Sequence, residues 1–444
     1  MGLDNKQKDM TPYDMSRKPV KQFPPLLLLL WGAALVSTPG LKKNKIRMEG
    51  LKPPFLVYST HQGFSDYFIV PRMLFPHRAN YVSDMEGFAA FGNAAYRAGG
   101  CIGKRRYVPD VSVMLNIRYA LKQLKQTVVL FPESRHCDAG ITSTLPNNLG
   151  KLAKFLDVPL VVIYSHGCYL ANPFWDEERS RKVRMESTAE LLYTREELRK
   201  VSADEVQRLV EEKLQYDEYA WQKENGIKIR SDSRAEGLHL PLYQCRSCGT
   251  KGKMRSSGVN LWCDNCRKRW TLTEDGELIT PDTGEIYSIT EWYRQERRQV
   301  EKEIENGTYK ELDIPVKVEA LPNEKGFVPM GSGRLVYNSE GFYLYLEDQY
   351  AQKEDYNPLF FSNRKQESLQ TEYNYKKRGK CIVLSTKNCC YYVYSEDESF
   401  IVTELEFAVE KYHSLSVRND RDRKNKMQVT VKDCLTTKQS ELNL

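Results

Sequence analysis

The stretch Ser59-Thr60-His61-Gln62-Gly63-Phe64-Ser65-Asp66-Tyr67-Phe68 follows an apolar run of strand length, Phe55-Leu56-Val57-Tyr58, and opens into a segment of helical character. Here a histidine stands where a buried strand ends, with an aspartate five residues on. Five positions separate two side chains by about 140° on an ideal helix, so His61 and Asp66 meet only if His61 precedes the first helical turn. A strand-to-helix junction supplies that geometry. A carboxylate bonded to one imidazole nitrogen fixes the tautomer and leaves the other nitrogen free to take a proton from an alcohol. No nucleophile lies in the motif, so the pair suits direct attack by a substrate hydroxyl rather than a covalent intermediate. A capping aspartate near a surface histidine gives the same spacing, so the pair needs neighbours that agree with it.

Around this stretch, residues 50–170 alternate short apolar runs (Phe55–Tyr58, Thr127–Phe131, Pro159–Tyr164) with segments of helical period (Val111–Lys125, Leu149–Leu156). That predicts an α/β domain, a parallel or mixed sheet with helices on its faces and functional residues at the strand ends. Three further landmarks lie within it. Gly99-Gly100-Cys101-Ile102-Gly103-Lys104-Arg105-Arg106 is a glycine-led turn ending in three cations. Val129-Leu130-Phe131-Pro132-Glu133-Ser134-Arg135 ends an apolar strand with charge, and Val158-Pro159-Leu160-Val161-Val162-Ile163 is another buried strand.

In this order the blocks resemble the glycerolipid acyltransferase family, the PlsC-type lysophosphatidic acid acyltransferases. The family's H-x4-D block falls on His61 and Asp66, its glycine-to-arginine block on Gly100–Arg106, its F-P-E-G block on Phe131–Glu133 and its V-P block on Val158–Pro159. The resemblance covers about 50 to 170; Tyr216-Asp217-Glu218-Tyr219 and the modules beyond look like a multidomain bacterial branch. It implies transfer of a fatty acyl chain from acyl-CoA or acyl-carrier protein to a glycerol hydroxyl of a lysophospholipid, lysophosphatidic acid first among them. His61 is then the general base and Asp66 its orienting acid. Lys104, Arg105 and Arg106 hold the acceptor's phosphate, where arginine offers two-pronged donors that match phosphate oxygens. Glu133 anchors the loop or the acceptor, and Arg135 adds a cation. Two positions depart from the family: Ser134 replaces a glycine, and Arg135 lies two rather than three past the glutamate. Taken alone, each cation also reads as a solvated surface charge. His136 and His166 lie near these blocks without a partner at a meaningful spacing and read as ordinary polar positions, His136 near the pocket mouth.

Of the eleven cysteines, Cys245 and Cys248, then Cys263 and Cys266, form two C-x-x-C pairs separated by fourteen residues. Each turn aims two thiolates at one tetrahedral ion, which predicts a structural zinc ribbon backed by Trp262, Trp270 and Leu272. Four sulfurs leave no open coordination position for chemistry. Arg267-Lys268-Arg269 keeps nucleic acid in view as a ligand, but lysine and arginine on a small module chiefly serve solvation, and no nucleic-acid partner is favoured. The remaining cysteines are scattered, as in a reducing compartment.

The first sixty residues hold ten lysines and arginines against four acids, beside the most apolar run of the chain, Leu26–Val36. As a helix that run covers roughly 16 Å, against a hydrocarbon core of ~30 Å, so it is too short to span a bilayer. Flanking prolines and the lack of a small-residue cleavage site argue against a secretory signal. An interfacial or re-entrant anchor with basic flanks on anionic headgroups is one reading, and a buried core helix is the other.

At 444 residues the chain has room for several domains, and 41% hydrophobic with 28% charged residues describes a globular rather than a disordered or membrane-embedded chain. The formal charge of +7 does not by itself argue for nucleic acid. The expected divisions are an interfacial segment over 1–48, an acyltransferase domain over 49–225, a zinc ribbon over 240–280 and a charged helix over 285–310. A β-rich domain over 325–415 follows, read as a small antiparallel barrel of pleckstrin-homology-like shape, then a charged tail over 416–444. Together these readings expect a peripheral enzyme on the cytoplasmic face of a membrane. The rival is a catalytically degenerate binding protein whose ribbon and β-domain contact a macromolecule.

Overall fold

In the computed structural model, residues 9–176, 181–346 and 358–418 are described; the expected charged tail lies outside them from 419 onward. Seven strands form the first sheet: β1 (Lys42–Ile46), β2 (Leu56–Ser59), β3 (Ala79–Asp84), β4 (Cys101–Lys104), β5 (Thr127–Leu130), β6 (Leu160–His166) and β7 (Glu186–Tyr193). Their order is β1-β7-β6-β2-β5-β3-β4, with β7 antiparallel to β6 and every other neighbouring pair parallel. β2 lies at the centre and is buried along its whole length, which is why it reads as an unbroken apolar run. Its side chains alternate between two cores. Val57 joins Ile69, Val70, Met73, Val129 and Val161 on one face. Leu56 and Tyr58 join Ile117, Val128, Leu160 and Val162 on the other.

The N-terminal helix α1 (Pro24–Ser37) packs on α2 (Asp66–Leu74), the helix that begins at the aspartate of the quoted stretch. Trp31 stacks on Phe75 with ring centroids 4.4 Å apart, and Leu27 and Ala34 are buried. The opposite side keeps Phe23, Leu28, Leu29 and Val36 exposed, Val36 to 81%. The run is therefore half packed and half bare. No helix among the described residues is long and apolar enough to cross a membrane.

Strands β8 (Met254–Ser257), β9 (Asn260–Cys263), β10 (Arg269–Leu272), β11 (Glu277–Ile279) and β12 (Ile286–Ser288) form an antiparallel five-stranded sheet holding the cysteines. Buried Trp270 meets Trp292 of the helix Ile289–Glu305 edge to face at 4.9 Å. Trp262 contributes less to this backing than Trp270 and Leu272: it is half-buried beneath the Arg269 guanidinium.

Seven more strands make the last sheet: β13 (Leu312–Leu321), β14 (Val328–Tyr337), β15 (Gly341–Leu346), β16 (Leu359–Ser362), β17 (Gln370–Glu372), β18 (Cys381–Ser385) and β19 (Cys390–Tyr394). The order is β16-β15-β14-β13-β19-β18-β17, antiparallel throughout, and among the described residues no ladder joins β16 to β17. Among the described residues no closing pair completes the small antiparallel barrel expected, and a helix over 402–418 follows the sheet. The sheet is not a free appendage. Tyr375, Val383, Cys390, Tyr392 and Tyr394 share a core with Tyr13, Met85 and Phe88 of the first domain. Tyr13 N–H donates to the Pro322 carbonyl at 2.9 Å, and Asn323 donates to the Thr11 carbonyl at 2.7 Å.

Candidate active site

β2 delivers His61 to the C-terminal edge of the sheet, and α2 starts five residues later with Asp66 in its first turn. The two side chains converge there: His61 Nδ1 lies 3.5 Å from Asp66 Oδ2, with both residues buried. That separation is longer than a hydrogen bond, and Nδ1 has no other partner. Asp66 Oδ2 accepts the Gly63 N–H at 3.0 Å, which ties the helix start back over the loop. Around the imidazole stand Phe131 at 4.5 Å, His136 at 4.4 Å and Tyr67 at 5.6 Å between centroids. Burial first, then the Arg106 charge, lowers the His61 pKa to about 3, so the ring is uncharged and available as a base at neutral pH. Burial raises Asp66 to about 7 against the pull of the Gly63 and Gln62 N–H donors.

Glu133 organises the loop beneath. Its Oε1 accepts the His61 N–H at 2.8 Å, and its Oε2 accepts the Ser143 N–H and the Tyr216 hydroxyl, each at 2.9 Å. Burial raises its pKa to about 7 although all three donors oppose this. Glu133 thus anchors the histidine's own backbone. Ser134 follows in the left-handed region at φ 59°, the conformation that favours glycine. Glu133→Gln points an amide NH2 at groups that are themselves donors, so unfolding stability is expected to fall by about 2 kcal/mol. A urea melt checks this; an unchanged midpoint would remove Glu133 as the anchor.

The three cations of the glycine-led turn separate. Gly100 is required at its start, since a Cβ there would stand 2.7 Å from the Ala79 carbonyl oxygen at φ +89°. Lys104 and Arg106 reach a cleft between this domain and the C-terminal sheet, lined also by Asp84, Glu86, Gln370, Glu372 and Tyr392. Arg106 is ion-paired with Asp84. Arg105, between them, turns the other way. Its guanidinium donates to the carbonyls of Lys387 at 2.7 Å, Pro322 at 2.9 Å and Asn388 at 3.0 Å. Arg135 is likewise occupied: it pairs with Asp138 at 2.7 Å and with Glu406 of the C-terminal helix, in a buried cluster that includes Tyr293 and Arg297. Arg105 and Arg135 therefore hold domains together, and of the turn's three cations only Lys104 and Arg106 line the cleft.

Two groups to which the sequence assigned no chemical role join the site. His136 sits in edge contact with the His61 ring, and burial first lowers its pKa well below the usual range. Glu218 accepts from Gln62 at 3.0 Å and from the Gly167 N–H at 2.6 Å, and pairs with His166 at 2.9 Å. Gln62 thereby ties the loop beside His61 to Glu218 and to the Ser165 carbonyl. The quoted Tyr216-Asp217-Glu218-Tyr219 supplies both braces, Tyr216 to Glu133 and Glu218 to Gln62.

The four cysteines gather their sulfurs within 4.8 Å of one another, with Cys245 to Cys266 at 3.6 Å and Cys248 to Cys263 at 3.8 Å. Ligands ~2.3 Å from a tetrahedral ion stand ~3.8 Å apart, so the set fits a metal such as zinc.

An α/β sheet presenting a buried histidine–aspartate pair at a strand end is the class these elements define. No family model matches the chain, and no curated protein matches it. Among solved structures it is weakly similar to the crystal structure of the 1-acyl-sn-glycerophosphate (LPA) acyltransferase, PlsC, from Thermotoga maritima. The TM-score is 0.34 at 18% identity, covering 42% of this chain and 79% of that one.

Proposed function

We propose that the chain is an acyltransferase that moves a fatty acyl group from acyl-CoA or acyl-carrier protein to the free glycerol hydroxyl of a lysophospholipid. Lysophosphatidic acid giving phosphatidic acid is the simplest reaction of this class. The observation that carries the reading is the uncharged, buried His61 beside Asp66, in a loop braced by Glu133 and Gln62. The acceptor hydroxyl gives its proton to His61 Nε2 as its oxygen attacks the thioester carbonyl. The C–O bond forms, the C–S bond breaks, and the proton passes to the departing thiolate. Asp66 orients the ring through Nδ1, and Lys104 with Arg106 meets the acceptor's phosphate.

The bare side of α1 and the exposed basic strand β1, with Lys42, Lys43 and Lys45, support peripheral seating on an anionic membrane surface at its cytoplasmic face. The strand order of the last sheet and its terminal helix support a pleckstrin-homology-like module, and the four cysteines support a structural zinc.

The test is acceptor-dependent release of free thiol from acyl-CoA by the purified full chain, with lysophosphatidic acid in mixed micelles and the ester product followed by mass. Release and ester formation are expected together. Thiol release without ester, or none with either CoA or carrier-protein donors, would end the reading.

A further inference from the structure

Acyl transfer through His61 develops a second charge that the groups assigned so far leave unmet. When the acceptor's oxygen attacks the thioester carbonyl, the carbonyl oxygen becomes an oxyanion. One donor held ready for it is worth about 10²–10³ in kcat. The loop that carries His61 has already committed its backbone donors. The His61 N–H goes to Glu133 at 2.8 Å, the Gly63 N–H goes to Asp66 at 3.0 Å, and Asp66 also draws the Gln62 N–H. Arg106 is paired with Asp84. His136 is differently placed. Its ring centroid lies 4.4 Å from that of His61 with 72° between the planes, nearer than Phe131 at 4.5 Å or Tyr67 at 5.6 Å. Its Nε2 is buried and has no hydrogen-bond partner among the described residues. The other rings around it are Phe174 at 5.7 Å and Tyr67 at 6.2 Å. A buried polar atom without a partner destabilises the fold, so its presence beside the general base calls for a role.

We propose that His136 is a second catalytic histidine, whose Nε2–H donates to the oxyanion formed on the acyl carbonyl while His61 holds the acceptor's proton. Burial first, then the facing His61 ring and Arg106, lower the His136 pKa well below the usual range, so the ring keeps a single N–H. Uncharged imidazoles act as electrophiles of this kind. No bond to His136 forms or breaks: it gives a hydrogen bond, and the proton in transit moves through His61 alone. This rests on the acyl-transfer reading and adds to it a residue that meets the acyl group rather than the acceptor.

The experiment separates kcat from KM for acyl-CoA, with the full chain and lysophosphatidic acid in mixed micelles. His136→Phe keeps a ring and removes the donor; its kcat is expected to fall about 10²-fold with KM within about threefold of wild type and the melting profile retained. His136→Gln restores an N–H donor and is expected to regain about tenfold over His136→Phe. Should His136→Phe lose its melt, His136→Met takes its place in the same comparison. A donorless variant with wild-type kcat, a loss carried by KM instead, or a His136→Gln no faster than the donorless variant would overturn the inference and leave acyl transfer through His61 standing. Wild type that acylates no lysophospholipid would remove the acyl-transfer reading and this one with it.

Discussion

His61→Ala is expected to lower acyl transfer by about 10²–10⁴-fold, the usual contribution of a positioned general base. The substitution removes one ring from a cluster of Phe131, Tyr67 and His136 and leaves the Glu133 contact intact, because that contact is made by the backbone N–H of residue 61. Loss of rate with a retained melting profile is therefore the expected signature. Equal rates in the two proteins would take His61 out of the mechanism. The pH profile separates the partners. His61 is held uncharged down to about 3, so its protonation does not limit the rate near neutrality. Asp66, raised to about 7, ionises in that range, and kcat/KM is expected to climb with pH through it. Asp66→Asn should flatten the climb and slow the reaction; a limb that persists in this variant would belong to another group. Stability carries the linked sign. A histidine whose pKa falls from 6.5 to about 3 on folding contributes fully above 6.5 and loses that contribution as pH drops toward 3.

What the sequence made legible follows from burial. β2, β5 and β6 are buried on both faces, so each appears as an apolar run, and the histidine at the end of β2 stands out against it. β1 is the opposite case. Lys42-Lys43-Asn44-Lys45-Ile46 is exposed at every position and joins the sheet edge through its backbone, so side-chain patterning carries no trace of it. β13 carries a clear period of two: Leu312, Ile314, Val316 and Val318 alternate strictly with polar or charged residues and Pro315, so the β-rich domain begins before the expected position 325. The site divides in the same way. His61 and Asp66 share one strand-to-helix junction, and Glu133 stands past the end of the neighbouring strand β5, each inside a short motif. Arg105 finds its carbonyls, and Arg135 its Glu406, more than two hundred positions away, in a domain whose docking no short pattern records. A guanidinium that completes an interface looks the same in sequence as one that awaits a phosphate.

Cys263→Ser is expected to abolish metal binding and to unfold the module around it. Cys263 is buried at the end of β9, and its partners come from the other turn as well as its own. The ribbon's own apolar core is small, with Leu261, Trp270, Leu272 and Leu278 at its centre. A structural zinc supplies ~10–16 kcal/mol of apparent binding free energy in isolated zinc-finger peptides, far more than such a core provides. The damage should spread. Lys251 of the ribbon pairs at 2.8 Å with both Glu303 and Glu404, and Trp270 rests against Trp292, so the helix Ile289–Glu305 and the terminal helix lean on the same module. Glu406 on that terminal helix holds Arg135, two residues from the Glu133 that fixes His61. Elemental analysis should find one zinc per wild-type chain and none in Cys263→Ser, with a new unfolding transition at lower temperature that a chelator reproduces in wild type. Full occupancy in the variant would refute the ligand set, and zinc lost with an unchanged melt would refute its structural role. Because four thiolates fill a tetrahedral ion, turnover per folded molecule should not depend on the metal's identity. Cadmium substitution that restores the melt should therefore restore acyl transfer with it, which a metal engaged in the chemistry would not allow.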